Sequence, residues 1–478
     1  MKKNNLIHLL ISSIIILSCK PTELTTTKIN NQLPKNFALN TNSTSAKLLK
    51  WQELIFDKHL ISIIDTALKN NFDLKIALQK IEISRAGLRL TKGIRLPEVG
   101  ASVSSGLRKF GEYTMDGVGN YDTKFSTNIN DKQQIPNPLP DYYVGFQTSW
   151  EIDLWGKLKN KKKSAAAKFI ASQYGKDLII TNLVAEISTT YFELLALDNE
   201  IKIIENNINL QQDALDIVTV QKQTGKANEL ALELMHAQLL NSKTILVDVK
   251  QQLTECESKL NFLCGGYPKI IARDTSFNSE SIISTINFGI PSDILINRAD
   301  IRQAEMELKA SNADLESAKA AFYPSFNINA LLGLQSFKAL LLLETPASIA
   351  YNTIGGLAAP LINRRKLKAD LLSAKAEQMQ AYINYEKNIV NGFMEVYRSI
   401  NNIKNTKEMY DTKLEEVTIL KKSISTSSEL FKAGRADYME IILAQKNALQ
   451  SQLELISYKK RQNISIVSLY RSLGGGWQ

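Results

Sequence analysis

The sequence predicts an α+β chain in which very long antiparallel helices carry four short β-strands, the whole written out twice. Three observations carry that prediction: scarce chain-breaking residues, a direct internal repeat, and short stretches in which apolar and polar residues alternate. Glycine (22) and proline (11) are few for 478 residues, so long uninterrupted elements are expected. Hydrophobic content is 44%, yet no window approaches the roughly 20 consecutive apolar residues of a transmembrane helix.

Sliding the sequence by 227 residues aligns Leu68 with Leu295, Asp73 with Asp300, Ala77 with Ala304, Pro97 with Pro324 and Gly106 with Gly333, among ten identities in 39 ungapped positions. A shift of 209 aligns Gly225 with Gly434, Ala227 with Ala436, Leu240 with Leu449, and Gly265-Gly266 with Gly474-Gly475. The shifts differ by 18, which places an insertion in the first copy between Gly106 and Gly225. The copies are set at 51–265 and 291–476, joined by a linker over 266–290.

The chain opens with Lys2, Lys3 and an apolar run from Leu6 to Leu17, a signal peptide over 1–18. Cys19, directly after Ile16-Leu17-Ser18, resembles the lipobox of bacterial lipoproteins, with lipid attached at Cys19 and 19–50 as a lipidated linker. The first helix is expected over 59–95, with Leu60, Ile63, Ile64, Ala67 and Leu68 on one face and Pro97 ending it. Val99, Ala101, Val103 and Leu107 then alternate with small or polar residues, a strand over about 98–108. A loop rich in Gly, Asn, Asp and Pro follows over 110–141. The second strand, about 142–154, sets Tyr142, Val144, Phe146, Trp150 and Ile152 against Gln147, Ser149 and Glu151. A helix over 157–221 contains no proline and would reach ~100 Å. A return helix over 228–263 follows the turn at Gly225.

The second copy repeats the order: a helix over 291–322, strands over about 325–335 and 349–361, a long helix over 364–430 and a return over 437–472. Its last strand is the weakest pattern, because Gly355-Gly356 and Pro360 interrupt it. The loop over 336–348 is shorter than its counterpart, which accounts for most of the 18-residue difference.

Alternating strands of this length suit a membrane barrel, apolar toward lipid and polar toward water, although a soluble sheet with one face on a core alternates too. The leader, Trp150 and Trp155 at the level of an aromatic girdle, the hairpin order and the unequal loops favour the barrel. Four strands cannot close one, so the chain must oligomerise.

Other classes find little support. After removal of Lys2 and Lys3 the formal charge falls from +10 to +8, without the clustered aromatic interleaving of a nucleic-acid surface. His59 and His236 have no metal-like partners, and no phosphate loop or nucleophile elbow occurs, so no catalytic residue, metal site or cofactor is assigned. Cys256 and Cys264 sit eight apart in a helical pattern, ~12 Å, too far for a disulfide.

The segments "SWEIDLWGKLKN", "ADIRQAEMELKASNADLESAKAAFYPSF", "TGKANEL", "AGRADYMEI" and "LGGGW" resemble the TolC-like outer-membrane efflux family, over nearly the whole chain from Trp51 to Trp477. The nearest branch is the lipidated outer-membrane channel component of RND-type tripartite pumps. The resemblance implies an α+β membrane protein: long antiparallel helices forming a periplasmic α-barrel, plus four transmembrane β-strands per protomer, a 12-stranded barrel in a trimer. It also implies a passive exit duct in the outer membrane, docked to a periplasmic adaptor (membrane fusion) protein and an inner-membrane RND pump, exporting drugs or other small toxic compounds. The alternatives are an outer-membrane duct for protein secretion, or a helical periplasmic scaffold lipoprotein that forms no channel. In this family a proline usually precedes the aspartate at 300; here that residue is Ala299, which predicts an earlier helix start near Ser292.

Gly225 and Gly434 fit left-handed helix ends, Asn228 and Asp437 fit N-caps, and Asp437 with Glu440 matches a capping box. The resemblance makes Thr224, Gly225, Lys226, Ala227, Ala433, Gly434, Arg435 and Ala436 the helix tips that meet the adaptor. Glu229, Glu429, Asp437 and Glu440 are the candidates for lining a periplasmic aperture, against the plainer reading of caps and solvated charges. The basic runs Lys157, Lys159, Lys161, Lys162, Lys163 and Arg364, Arg365, Lys366, Lys368 fit either solvated faces or contact with outer-membrane lipid phosphates.

Overall fold

A computed structural model describes residues 51–274, 298–360 and 364–475. The signal peptide, Cys19, the linker over 19–50 and most of the linker between the copies lie outside the described residues.

The helices are α1 (Trp51–Leu54), α2 (Lys58–Asn70), α3 (Phe72–Gly93), α4 (Met115–Asp122), α5 (Lys157–Gln223), α6 (Glu229–Leu263), α7 (Ala299–Ala320), α8 (Arg364–Lys432) and α9 (Tyr438–Ser472). The strands are β1 (Glu98–Arg108), β2 (Leu139–Ile152), β3 (Ser325–Ser336) and β4 (Ile349–Ala358). At 67 and 69 residues, α5 and α8 each span ~100 Å, and the 35-residue returns α6 and α9 cover about half of that.

The helix expected over 59–95 is two helices. Asn71, at φ −55° and ψ 135°, leaves the helical region between α2 and α3. Its side chain accepts from Leu74 N and donates to the Leu263 carbonyl at 2.9 Å, so it caps α3 and holds the end of α6 at once. Arg298 occupies the same joint in the second copy: it is extended (φ −73°, ψ 129°) and its Nη1 donates to the Ser472 carbonyl at 2.8 Å. Ser292, where an early helix start was expected, lies outside the described residues; no helix runs through Arg298, and α7 begins at Ala299. Asp300 and Glu395 receive the Arg298 guanidinium and fix that start without proline.

Two further boundaries differ from expectation. The loop over 110–141 contains α4, whose N-cap Thr114 accepts from Gly117 N, and β2 begins early because Leu139 and Pro140 pair with Arg108 and Leu107. β2 also stops at Ile152, because Asp153 turns back to cap α5. Gly355 and Gly356 do not interrupt β4; they pair with Ile328 and Asn327.

The four strands form one antiparallel sheet in the order β1-β2-β3-β4, leaving an outer edge on β1 and another on β4. The main apolar core lies elsewhere, around the middle of α5, where Leu183, Ile187, Tyr191 and Leu194 pack against Leu60, Ile64, Val249 and Leu260. α5 has one window apolar enough to cross a membrane, but 61% of it is buried in this core, so it reads as packing rather than a span. Trp51 and Ile55 fold into the same core, and Tyr191 Oη donates to Asp57 Oδ2 at 2.7 Å. Burial and the neighbouring carboxylate hold that phenol protonated. Cys256 and Cys264 are free thiols, and burial pushes the Cys256 thiol up to about 12.

Candidate functional site

Residues opposite one another in an antiparallel ladder share a face, so the registers sort the sheet. One face carries the rows Ala101, Phe146, Leu332, Tyr351 and Val103, Val144, Leu334, Ile349. It is apolar and open: Val103 is 79% exposed, Phe146 61% and Tyr351 80%. The other face carries Gly100, Gln147, Leu331, Asn352 and Glu98, Ser149, Asn329, Ile354, and holds a groove of about 510 Å³. An exposed apolar face backed by a polar concave one is the arrangement of a wall between lipid and water.

A tyrosine and two glycines set the close approach of β2 and β3 in that wall. Gly145 and Gly333 stand opposite each other, and the Tyr143 ring lies over both, only 6% exposed, with its Oη donating to the Phe146 carbonyl at 3.1 Å. A Cβ on Gly333 would lie 2.5 Å from the Val144 carbonyl oxygen and 2.6 Å from Gly145 Cα. The sequence signal was present, since Tyr143 and Gly145 both fall on the polar phase, but alternation alone does not reveal a ring folded across a glycine pair.

At the edge of the sheet, Trp155 stacks on Tyr323 with centroids 5.1 Å apart and donates to the Pro324 carbonyl, and Trp150 donates to the Arg95 carbonyl. Each indole thus satisfies its N–H and leaves its body for an apolar surround, as an interfacial aromatic does. Gly156 at φ 78° lets the chain turn from strand to helix. Asp153 then accepts from Leu158 N and Lys159 N at 3.1 and 2.6 Å. That carboxylate offsets the lysine run at a positive helix terminus. Of the basic runs, Lys157 pairs with Glu151 at 2.5 Å, while Lys159, Lys161, Lys163, Arg364, Arg365, Lys366 and Lys368 are exposed.

The opposite ends of the long helices close in matching turns. Gly225 is at φ 73°, with Lys226 N on the Gln221 carbonyl and Gly225 N on that of Lys222; Gly434, at φ 67°, repeats the pattern with Leu430 and Phe431. Both are Schellman turns. The two tips share one small core, Ala214, Val218, Met235, Phe431 and Ile441, with Ala227 and Ala436 at its edge. Thr224, Gly225, Lys226, Ala433, Gly434 and Arg435 are exposed beyond it.

The acidic residues near the tips are less uniform than the sequence suggested. Glu229 pairs with Lys222 across its turn. Asp437 caps α9 through Tyr438 N at 2.7 Å, so the expected capping box with Glu440 does not govern this start. Glu429 and Glu440 are exposed. The tertiary structure brings all four to the tip end of the same hairpin pair.

Residues 266–274, the described part of the linker, are held by Asn261 Nδ2 on the Lys269 carbonyl, by Ile271 in the main core, and by an arginine cluster. Arg273 reaches Asp198 on α5 at 2.5 and 3.0 Å, Glu257 on α6 at 2.5 Å, and the Ile271 carbonyl. No sequence pattern announced this cluster, because its members lie 75 and 16 residues from Arg273.

A family model described as outer membrane efflux protein matches residues 63–266 and 290–475. The chain is 26% identical over 452 residues to a cation efflux system protein, CusC, of Escherichia coli O6:H1, covering 93% of each. It is also 26% identical over 450 residues to a probable outer membrane lipoprotein, SilC, of Salmonella typhimurium, again covering 93% of each. A crystal structure of CusC superposes with a TM-score of 0.80 at 25% identity, covering 93% of this chain and 97% of that one.

Proposed function

The chain belongs to the outer membrane efflux protein family, and from that premise we propose that it is the outer-membrane exit duct of a tripartite efflux system. One observation supports the reading above others: a four-stranded sheet, apolar on one face and polar on the other, with open edges on β1 and β4. Unpaired edges are not stable in lipid, so three copies complete a barrel of twelve strands, four from each. The long helices of each protomer continue that barrel as a hollow α-barrel in the periplasm.

The chain works as a passive channel rather than as an enzyme. A periplasmic adaptor protein contacts the exposed turns at 224–227 and 433–436, and an inner-membrane RND pump supplies the cargo and the energy. Glu429 and Glu440, with Glu229 and Asp437 nearby, line the aperture at the tips. Cys19 carries the lipid anchor, which agrees with the lipoprotein description of SilC. The cargo class is small toxic compounds; the cation in the name of CusC belongs to that protein.

Purified protein in a planar lipid bilayer is expected to give discrete conductance steps, and to run on mild gels as a trimer that heat dissociates. A chain that gives neither is a scaffold and not a duct.

A further inference from the structure

The polar face of the sheet is uneven in charge. Its ionic side chains are Glu98 and Arg108 on β1 and Asp141 and Glu151 on β2, and all but one of them are engaged. Asp141 accepts from Gln335 Nε2 at 2.8 Å, Arg108 lies over the Phe110 ring at 5.6 Å, and Glu151 pairs with Lys157. Glu98 is exposed and has no ion pair among the described residues. The nearest basic residue of the strands on this face, Arg108, stands at the far end of β1, about 33 Å along it at 3.3 Å per residue. The charge of Glu98 therefore has the inner part of the face to itself.

The same part of the face carries two aliphatic side chains that the lipid-facing rows do not use. Leu331 of β3 and Ile354 of β4 fall on successive rows of adjacent strands, with Gln147, Asn329 and Asn352 beside them. Ile354 is 58% exposed. Together with Glu98 these residues line the groove of about 510 Å³. Its ends are set by structure already in place: the next row outward is the Gly145 and Gly333 pair under the Tyr143 ring, and the next row inward holds Glu151, tied to Lys157. On β1, an added Cβ at Gly100 would have nothing within 4 Å, so the groove stays open beside Glu98. A carboxylate thus stands at one side and an aliphatic pair at the other, with amides between them. From β1 to β4 that is three strand spacings, about 14 Å.

We propose that this groove is a binding station for elongated organic cations, with an ammonium or amidinium group at Glu98 and an apolar body on Leu331 and Ile354, an inference that rests on the duct proposed above and names a cargo class for it. The few polar groups placed around an apolar floor are what orient a small molecule in a pocket. Gln147, Asn329 and Asn352 each offer a donor and an acceptor, so they accommodate polar substituents of either kind along the body. An anion of the same shape meets the like charge of Glu98, and a compact cation gains nothing from the aliphatic pair. Because Glu98 is exposed to water, its attraction is modest, and a bound cation can leave again, as conduction requires.

Current block in planar bilayers tests the groove with three probes: phenylbutyltrimethylammonium, phenylbutanesulfonate of matching shape, and tetramethylammonium. The first is expected to block the full-length protein at concentrations about tenfold lower than either of the others. Glu98→Gln is expected to raise its half-blocking concentration about five- to tenfold, and Leu331→Asn several-fold. Asp141→Asn, on the same face but outside the groove, leaves it unchanged. Equal block by the cation and the sulfonate, or block insensitive to Glu98→Gln, in channels that still conduct would overturn the groove and leave the duct standing. Calorimetric titration of the detergent-solubilised protein and its Glu98→Gln variant with the first probe separates the two readings. Binding that depends on Glu98 without conductance would uphold the groove and overturn the duct; absence of both would overturn both.

Discussion

At Gly333 a single methyl group would collide with the neighbouring strand. A Cβ there meets backbone on β2 rather than a movable side chain, so Gly333→Ala cannot be relieved by rotation. The expected cost is about 1–3 kcal/mol per protomer, read as a lower dissociation temperature of the proposed trimer on gels. Arg273 is the second residue on which much depends. It and Asp198 are 11% and 12% exposed, so removing the guanidinium leaves two carboxylates largely shielded from water. Arg273→Ala is expected to cost about 3–5 kcal/mol in thermal or denaturant unfolding of the helical part. By contrast Lys132 and Glu344 pair in the outer loops at 64% and 49% exposure, where such a contact contributes about 0–1 kcal/mol.

The lengths of the long helices and the turns that end them follow from local rules. The long helices run without proline and stop where glycine can adopt positive φ, at Gly225 and Gly434. Neither glycine has a neighbouring atom within 4 Å of an added Cβ, so the turns serve backbone geometry and leave their outer surface clear. That exposure gives the tips a test separable from folding. Lys226→Glu combined with Arg435→Glu reverses two exposed charges and is expected to lower adaptor capture at least tenfold, a loss of about 1.4 kcal/mol, while trimers and conductance persist. Unchanged capture and unchanged efflux would remove these turns from the adaptor contact. Asparagine favours helix caps, but without a glycine or proline beside it the periodic stretch around Asn71 does not mark a break. Its reason is a hydrogen bond to Leu263, 192 residues away.

At the scale of the whole molecule, the proposed duct makes the chain one protomer's share of a tube whose outer surface changes solvent along its length. Alternation of period two, a helical period, scarce glycine and proline, and two shifts of 227 and 209 are one-dimensional facts, so the sequence by itself determined the four strands, the long helices, their order and the repeat, but neither the break at Asn71 nor α4. Each follows from local steric preference or from side-chain spacing along a strand or helix. Tertiary structure alone decided what those elements meet. It folded Tyr143 over a glycine pair, gathered Arg273, Asp198 and Glu257 around the linker, and set two different side chains, Asn71 and Arg298, to donate to matching carbonyls in equivalent joints. It also left Ile83 and Leu90 in water where Ala310 and Ser317, their counterparts in the shift of 227, are covered. Contacts of that kind depend on distances across the fold, and a linear pattern carries no measure of them.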